Sequence, residues 1–486
     1  MLVALTACAP SGPPRTVERV AFLSLDNLSG DDSLAWMGEA VPNIAAAQLA
    51  GVGKILPLRA DSSREAAVVA ATQMVHGYFD RRGGKLHFEF SVEDADTHVI
   101  RPLALDGDAL HAADGIARAL DASAKPFSTA SPQAVEAWGK RNFEQAVQLD
   151  PDFGVAWRDL VQSRAADQAA ASESAGRALA RTTLRSGLER AQIALLDGQL
   201  RADAVAASKA RGELVRLVPN DTAMLRRFAD EETTARNFAQ SVQFYQALMP
   251  LETGDPSVGN LLGYAQFFGG DLAGARKSFE AYGRLPGQAA NALDSEGEVL
   301  FMAGRFAEAE QRFLSAHAAN PAMLGGADLL KAAFAHWLGG DLPGADKIFD
   351  QYIMFRLQNA DSLGLWRRAI WGFATGREAN AIDLLKQVTG SAAAMAQAQL
   401  QVLNNRAAVV AKLTEDLPGL ERAYRSTPPS ADGMVRVLYA KALLKAGRKA
   451  EAENLVVLWP LPESGEASLQ PLLYSVYLEL KKDLAK

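Results

Sequence analysis

The chain has 486 residues, of which 49% are hydrophobic and 22% charged, so a disordered or collagen-like protein is excluded. Lysine plus arginine (50) against aspartate plus glutamate (57) leaves a net charge of −7, without the basic footprint of a DNA or RNA binder. One cysteine excludes disulfide frameworks and cysteine-ligated metal centres within one chain, and at ~150 residues per domain the length predicts about three domains, or one compact domain plus an extended array.

Residues 1–16 run from a short apolar stretch through small residues into Ala-Pro-Ser-Gly-Pro-Pro, the pattern that ends an export signal and begins a linker. Leu5-Thr6-Ala7-Cys8 is similar to the lipobox of bacterial lipoproteins, whose cysteine is lipidated and becomes the first residue of the mature chain. The resemblance implies a lipid on Cys8 and attachment to the membrane by that anchor only. Ala9 stands where aspartate would retain such a protein in the inner membrane, so the implied address is the outer membrane, facing the periplasm. If Cys8 is not lipidated, the alternative is a cytoplasmic protein. No run of ~18 apolar residues exists to form an internal membrane span.

Residues 17–125 predict a small α/β domain. Val20–Leu25 reads as a strand, Asp26–Asp32 as a turn cluster, and Leu34, Met37, Val41, Ile44, Ala45 and Leu49 recur at helical spacing. Lys54–Leu58 reads as a second strand and residues 63–73 as a second helix. Around the Gly83-Gly84 turn, residues 74–79 and 86–93 form a hairpin. Its register pairs Phe79 with Phe88, Gly77 with Phe90 and Val75 with Val92, placing the apolar side chains on one face and His76, Tyr78, Asp80, His87 and Glu89 on the other. A third helix at about 108–121 completes the order βαβαββα. His87 then faces Asp80 while His76 lies too far along its strand to share an ion, so the histidines read as solvent-face residues and no metal or cofactor is expected. Val20-Ala21-Phe22-Leu23, Asn27–Asp31, Gly77-Tyr78-Phe79, Glu93–Thr97 and Asp114–Leu120 together resemble the TolB-like domain that precedes tetratricopeptide arrays in many bacterial proteins. That resemblance carries over no catalytic residue.

From 131 to 486 the pattern is helical and repeats. Gly270, Gly304, Gly340 and Gly376 are 34, 36 and 36 residues apart, and Gly447 follows 71 later. Each is followed five residues on by alanine (Ala275, Ala309, Ala345, Ala381, Ala452) and preceded by seven by a small residue (Gly263, Gly297, Ala333, Ala369, Ala440). Phe279, Phe313 and Phe349 stand nine residues after the first three glycines. Small residues allow two helices to approach, the glycine makes a left-handed turn between them, and the phenylalanine is expected to fill the gap to the next hairpin. The pattern resembles the tetratricopeptide repeat (TPR), and about eight to nine hairpins are expected. The fold class is thus α+β overall: a TolB-like α/β domain followed by an all-α TPR solenoid in which each unit contacts mainly its neighbours.

In that family the concave face binds ligand. Through the glycine register it comprises Asn260, Tyr264, Phe267, Asp294, Glu298, Phe301, Leu330, Phe334, Trp337, Trp366, Ile370 and Phe373, an aromatic groove suited to a peptide or partner helix. No Walker loop, nucleophile elbow, H-E-x-x-H or dinucleotide fingerprint occurs. The expected function is a non-enzymatic protein–protein interaction scaffold of the bacterial envelope, binding a protein or peptide and no nucleic acid. The alternative is a sensory or regulatory ectodomain that signals through a separate membrane or DNA-binding protein. The oligomeric state is left open.

Overall fold

The computed structural model describes residues 17–486 except 69, 185, 253–254, 360–362 and 463–469, so Cys8 lies outside the described residues. The chain divides into two compact units, Met1–Phe228 and Ala229–Lys486.

The first unit opens with β1 (Glu18–Phe22), β2 (Asp26–Asn27), α1 (Trp36–Leu49), β3 (Ile55–Arg59), α2 (Ser63–Val68), β4 (Gln73–Arg82), β5 (Lys85–Asp94), β6 (Ile100–Asp106) and α3 (Ala109–Leu120). The strands form one mixed sheet in the order β3-β1-β4-β5-β6, with β2 beside β4. β1 pairs in parallel with β3 and β4, whereas β4/β5 and β5/β6 are antiparallel. The hairpin register is the one read from sequence: Val75 opposite Val92, Gly77 opposite Phe90, Phe79 opposite Phe88. Those apolar residues pack with Val41 and Ile44 of α1 and Ile116 of α3. A proline inside α1 is accommodated rather than disruptive. Pro42 has no N–H to give the Gly38 carbonyl, and the Leu25 N–H occupies that acceptor at 2.9 Å, tying the helix to the end of β1.

Two sequence expectations change here. The hairpin does not lead straight into a helix, because β6 intervenes. Its Pro102 weakened the strand signal, yet proline is tolerated there since β6 is the outer edge of the sheet. The second helix is also shorter than 63–73, because Gln73 already belongs to β4.

Beyond α3 the first unit is helical: α4 (Pro132–Gly139), α5 (Phe143–Leu149), α6 (Gly154–Ser163), α7 (Gln168–Leu179), α8 (Gly187–Leu200) and α9 (Ala204–Leu217), with the unit boundary falling in α10 (Thr222–Thr234). The change from mixed sheet to helices alone thus comes after α3, but the compact unit extends to 228. One continuous core joins the sheet residues to Trp138, Phe153, Trp157 and Ile193 on these helices.

The second unit comprises α11 (Phe238–Leu248), α12 (Ser257–Phe268), α13 (Leu272–Gly283), α14 (Ala289–Met302), α15 (Phe306–Ala319), α16 (Ala327–Leu338), α17 (Leu342–Gln358), α18 (Gly364–Ala374), α19 (Glu378–Lys386), α20 (Ala393–Asn404), α21 (Arg406–Leu413), α22 (Leu417–Ser426), α23 (Gly433–Lys445), α24 (Lys449–Leu455) and α25 (Gln470–Leu484). The predicted turn glycines are all left-handed, with φ of 92° at Gly270, 75° at Gly304, 109° at Gly340, 81° at Gly376 and 77° at Gly447. The same turn recurs without glycine at Arg141, Ala202 and Arg236, where φ is 60°, 51° and 63°. A side chain in that region is strained, so these three turns are held without the residue that would mark them in the sequence.

The small residues do what the register requires. A Cβ on Gly263 would stand 2.5 Å from the Phe279 ring, and one on Gly297 would stand 2.7 Å from Phe313. Phe279 and Phe313 therefore seat on the small residue of their own hairpin's first helix and lock α12 to α13 and α14 to α15, while toward the next hairpin Phe313 meets the Lys331 ammonium of α16 and Phe349 stacks on Trp371 of α18 at 4.8 Å. The alanines Ala275, Ala309, Ala345, Ala381 and Ala452 are all wholly buried in these seams.

The second unit is not held by neighbour contacts alone. α25 packs on α18 and α23, and the Trp459 N–H donates to the Met302 carbonyl at 2.9 Å. Arg236 donates to Asp432 at 2.8 Å and to the Tyr424 carbonyl at 3.1 Å, with its guanidinium 3.8 Å over the Tyr424 ring. The strained turn residue is thereby fixed by groups almost two hundred positions away. The C-terminal segment closes this unit on itself.

Candidate docking groove

On α12, α14, α16 and α18 the expected groove residues stand ten, six and three positions before the turn glycine, so each trio shares one helix face. The structure sorts the twelve into three sets. Phe267, Phe301 and Phe373, nearest the turns, are core residues. Phe301 has no exposed surface and packs edge-on against Phe306 at 5.4 Å. These three are corrections to the expected groove, because the helix end that carries them is buried by the following helix.

Tyr264, Asp294 and Glu298 come together as a polar stripe, organised by a residue that sequence reasoning missed, Lys331 on α16, while the Asn260 side-chain oxygen is buried with no hydrogen-bond partner among the described residues. Its ammonium donates to both Asp294 oxygens at 2.7 and 2.8 Å and to Glu298 at 2.6 Å. The Tyr264 hydroxyl donates to the other Glu298 oxygen at 2.5 Å. Burial works against the Lys331 charge, but Glu298 and Asp294 outweigh it and hold the ammonium above its usual range. Burial and the Glu298 charge push the Tyr264 phenol well up. Asp328, one turn before Lys331, is wholly buried, and neither of its oxygens accepts a hydrogen bond among the described residues. Burial first, and then the facing Asp294 carboxylate, push its carboxyl up to about 8. The signal available in sequence was one lysine on an apolar helix face, one repeat after two inward acids.

Leu330, Phe334, Trp337, Trp366 and Ile370 form an aromatic wall, but it does not face open solvent. Tyr474 of α25 stacks on Phe334 at 4.8 Å and lies 6.0 Å from Trp337. Leu473, Tyr474 and Pro462 close a residual void of about 40 Å³ against Leu330, Trp366 and Ile370. The Tyr474 hydroxyl donates to the Pro460 carbonyl at 2.7 Å, and that of Tyr477 to the Val456 carbonyl at 2.9 Å. Glu479 accepts from Arg406 at 2.6 Å and from Lys441 at 3.2 Å. The expected open groove is thus covered along its aromatic half by the chain's own C-terminal helix.

In the first unit, His87 pairs with Asp106 of β6 at 2.6 Å. Among the described residues no cluster of three or more His, Cys, Asp or Glu is arranged to hold a metal ion, and no helix is long and apolar enough to cross a membrane. A cavity of about 410 Å³ lies between strand β3 and helices α6, α8, α9 and α10, with Leu56, Arg158, Leu195, Leu214 and Phe228 in its wall. Pro57 supplies no N–H to this edge of the sheet, which disfavours capture of an added strand.

The chain matches no protein-family model and no curated protein. Among solved structures, it is similar to the crystal structure of MamA protein at 16% identity and a TM-score of 0.28, over 36% of this chain and 93% of that one. It is also similar to the crystal structure of the P58(IPK) TPR domain at 13% identity and a TM-score of 0.20, over 73% of this chain and 95% of that one. The hairpin assignment rests on the turn and seam geometry above.

Proposed function

We propose that this protein is a non-enzymatic protein–protein interaction scaffold of the bacterial envelope, with a TolB-like domain at 17–125, a TPR-type array at 131–486, and a lipid on Cys8 that anchors it at the outer membrane. The observation that carries the docking part is the inner face of the second unit. It is lined by aromatic rings and a polar stripe, and its aromatic half already receives an amphipathic helix. Helix-in-groove recognition needs an apolar channel of that kind with charged groups at its margin. The envelope part is supported by Leu5-Thr6-Ala7-Cys8 and the Pro/Gly linker behind it.

Each part has its own expected result. Metabolic labelling with palmitate is expected to mark the native protein and leave Cys8→Ala unlabelled; an unlabelled native protein would sink the envelope assignment. Tyr264→Ala and Trp337→Ala, each shown by circular dichroism to remain folded, are expected to weaken capture of an envelope partner by at least about 30-fold, the range of an interface hot spot. Capture unchanged in both variants would rule out the inner face as the docking surface.

A further inference from the structure

From the way α25 seats on the aromatic wall, we infer that it is a built-in competitor for the groove, and that the external partner is an amphipathic helix of the same pattern that docks when α25 is displaced. This inference rests on the docking reading above and adds the identity of the occupant.

Three observations carry it. The first is the fit. One face of α25 presents Leu473, Tyr474, Tyr477 and Leu480, all buried, and its tyrosine enters a box made by Phe334, Trp337 and Trp371. The second is charge. Glu479, five residues after that tyrosine, meets Arg406 of α21 and Lys441 of α23, and all three side chains are partly exposed. An incoming helix with an aromatic anchor and a carboxylate five residues on would meet the same two cations.

The third observation is that α25 fills the site incompletely. Beside the void of about 40 Å³, the Trp366 indole N–H is buried and meets no acceptor among the described residues. A buried donor left unmade is costly. A partner helix that brings a hydroxyl or amide oxygen to this point satisfies a group that α25 leaves empty, which favours the partner by about 10-fold. This sets the partner's chemistry: an amphipathic helix with an aromatic anchor, a downstream carboxylate and a small polar acceptor facing Trp366.

The competition is intramolecular. A tethered segment acts at an effective concentration of roughly millimolar, so an added helix binds weakly until α25 is loosened. The test uses the full chain and a fluorescein-labelled synthetic peptide with the sequence of residues 470–486, read by fluorescence anisotropy. Tyr474→Ala in the protein is expected to tighten peptide binding by at least 10-fold over the native chain. Glu479→Lys, a change at a partly exposed position that leaves the core intact, is expected to tighten it about threefold. A peptide carrying the Tyr474→Ala change is expected to bind the Tyr474→Ala protein at least 10-fold more weakly than the native peptide does.

If the Tyr474→Ala and Glu479→Lys proteins, each folded by circular dichroism, bind the peptide no better than the native chain does, α25 is a permanent part of the core and the inference is overturned. If envelope-partner capture still depends on Tyr264 and Trp337 in that case, only the competitor role fails. Loss of both results would remove the docking reading as well.

Discussion

Lys331→Met is expected to lower the stability of the second unit by about 3–5 kcal/mol, the cost of removing one member of a buried ion pair and leaving its partners uncompensated. The ammonium is the common donor to Asp294 and Glu298, and Glu298 in turn holds the Tyr264 hydroxyl. Without it, two inward carboxylates face each other across a buried stripe. Urea unfolding followed by circular dichroism measures the effect; a loss under about 1 kcal/mol would mean that water reaches the stripe and screens it. The same network predicts the direction of the pH response. The proton on Asp328 is retained in the folded protein up to about pH 8, because burial opposes the charge and the group facing it is Asp294, with Lys331 only partly offsetting. In the unfolded chain that proton leaves near pH 3.8. Between those values the folded state binds more protons than the unfolded state, so the Asp328 contribution is complete below about pH 4, declines as the pH rises, and is gone above about pH 8. Asp328→Asn, whose amide can donate to Asp294 at any pH, is expected to flatten this part of the decline in melting temperature between pH 5 and 8. An unchanged slope would place the titrating group elsewhere.

Phe313→Ala is expected to cost about 3–5 kcal/mol, as for other large aromatic truncations in a core. The ring is wholly buried, lies against Gly297 in the seam between α14 and α15, and carries the Lys331 ammonium 5.6 Å above its face. Gly297→Ala alone is expected to cost about 1–3 kcal/mol, because the new methyl meets the ring at 2.7 Å and one of them must move. In the double variant the methyl occupies part of the space the ring vacated, so the two losses should sum to more than the observed loss by at least about 0.5 kcal/mol. Strict additivity in equilibrium unfolding would show that the glycine and the phenylalanine do not share a seam.

Legibility in the sequence follows the range of the interactions. Gly297, Gly304, Ala309 and Phe313 are within seventeen positions of one another and meet through short-range sterics, so spacing alone places them. The pairing of Phe79 with Phe88 is readable for the same reason: a two-glycine turn and a period of two leave one register with all apolar side chains together. Strand β6 was missed because its proline and exposed residues obey the rules of an edge, and an edge position is a property of the assembled sheet. The left-handed turns at Arg141, Ala202 and Arg236 carry no glycine to mark them, because contacts made elsewhere in the chain can hold a non-glycine residue there. For Arg236 those contacts are Tyr424 and Asp432.

The groove divides along the same line. Periodicity placed Asn260, Tyr264, Asp294 and Glu298 on one stripe, and Phe334, Trp337, Trp366 and Ile370 on another, because a helix repeats its faces every few residues. Periodicity could not say that Lys331 would join Tyr264, Asp294 and Glu298 into one network, that Phe301 would turn into the core, or that Tyr474 would cover Phe334. By itself, then, the sequence determined the hairpins with glycine turns, the seams beside those turns and the β4/β5 register, all of which are set by neighbours along the chain. Only the tertiary structure decided that the second unit closes on its own C-terminal helix. That closure joins residues more than a hundred positions apart by matching one apolar face to another, and such complementarity has no period to read.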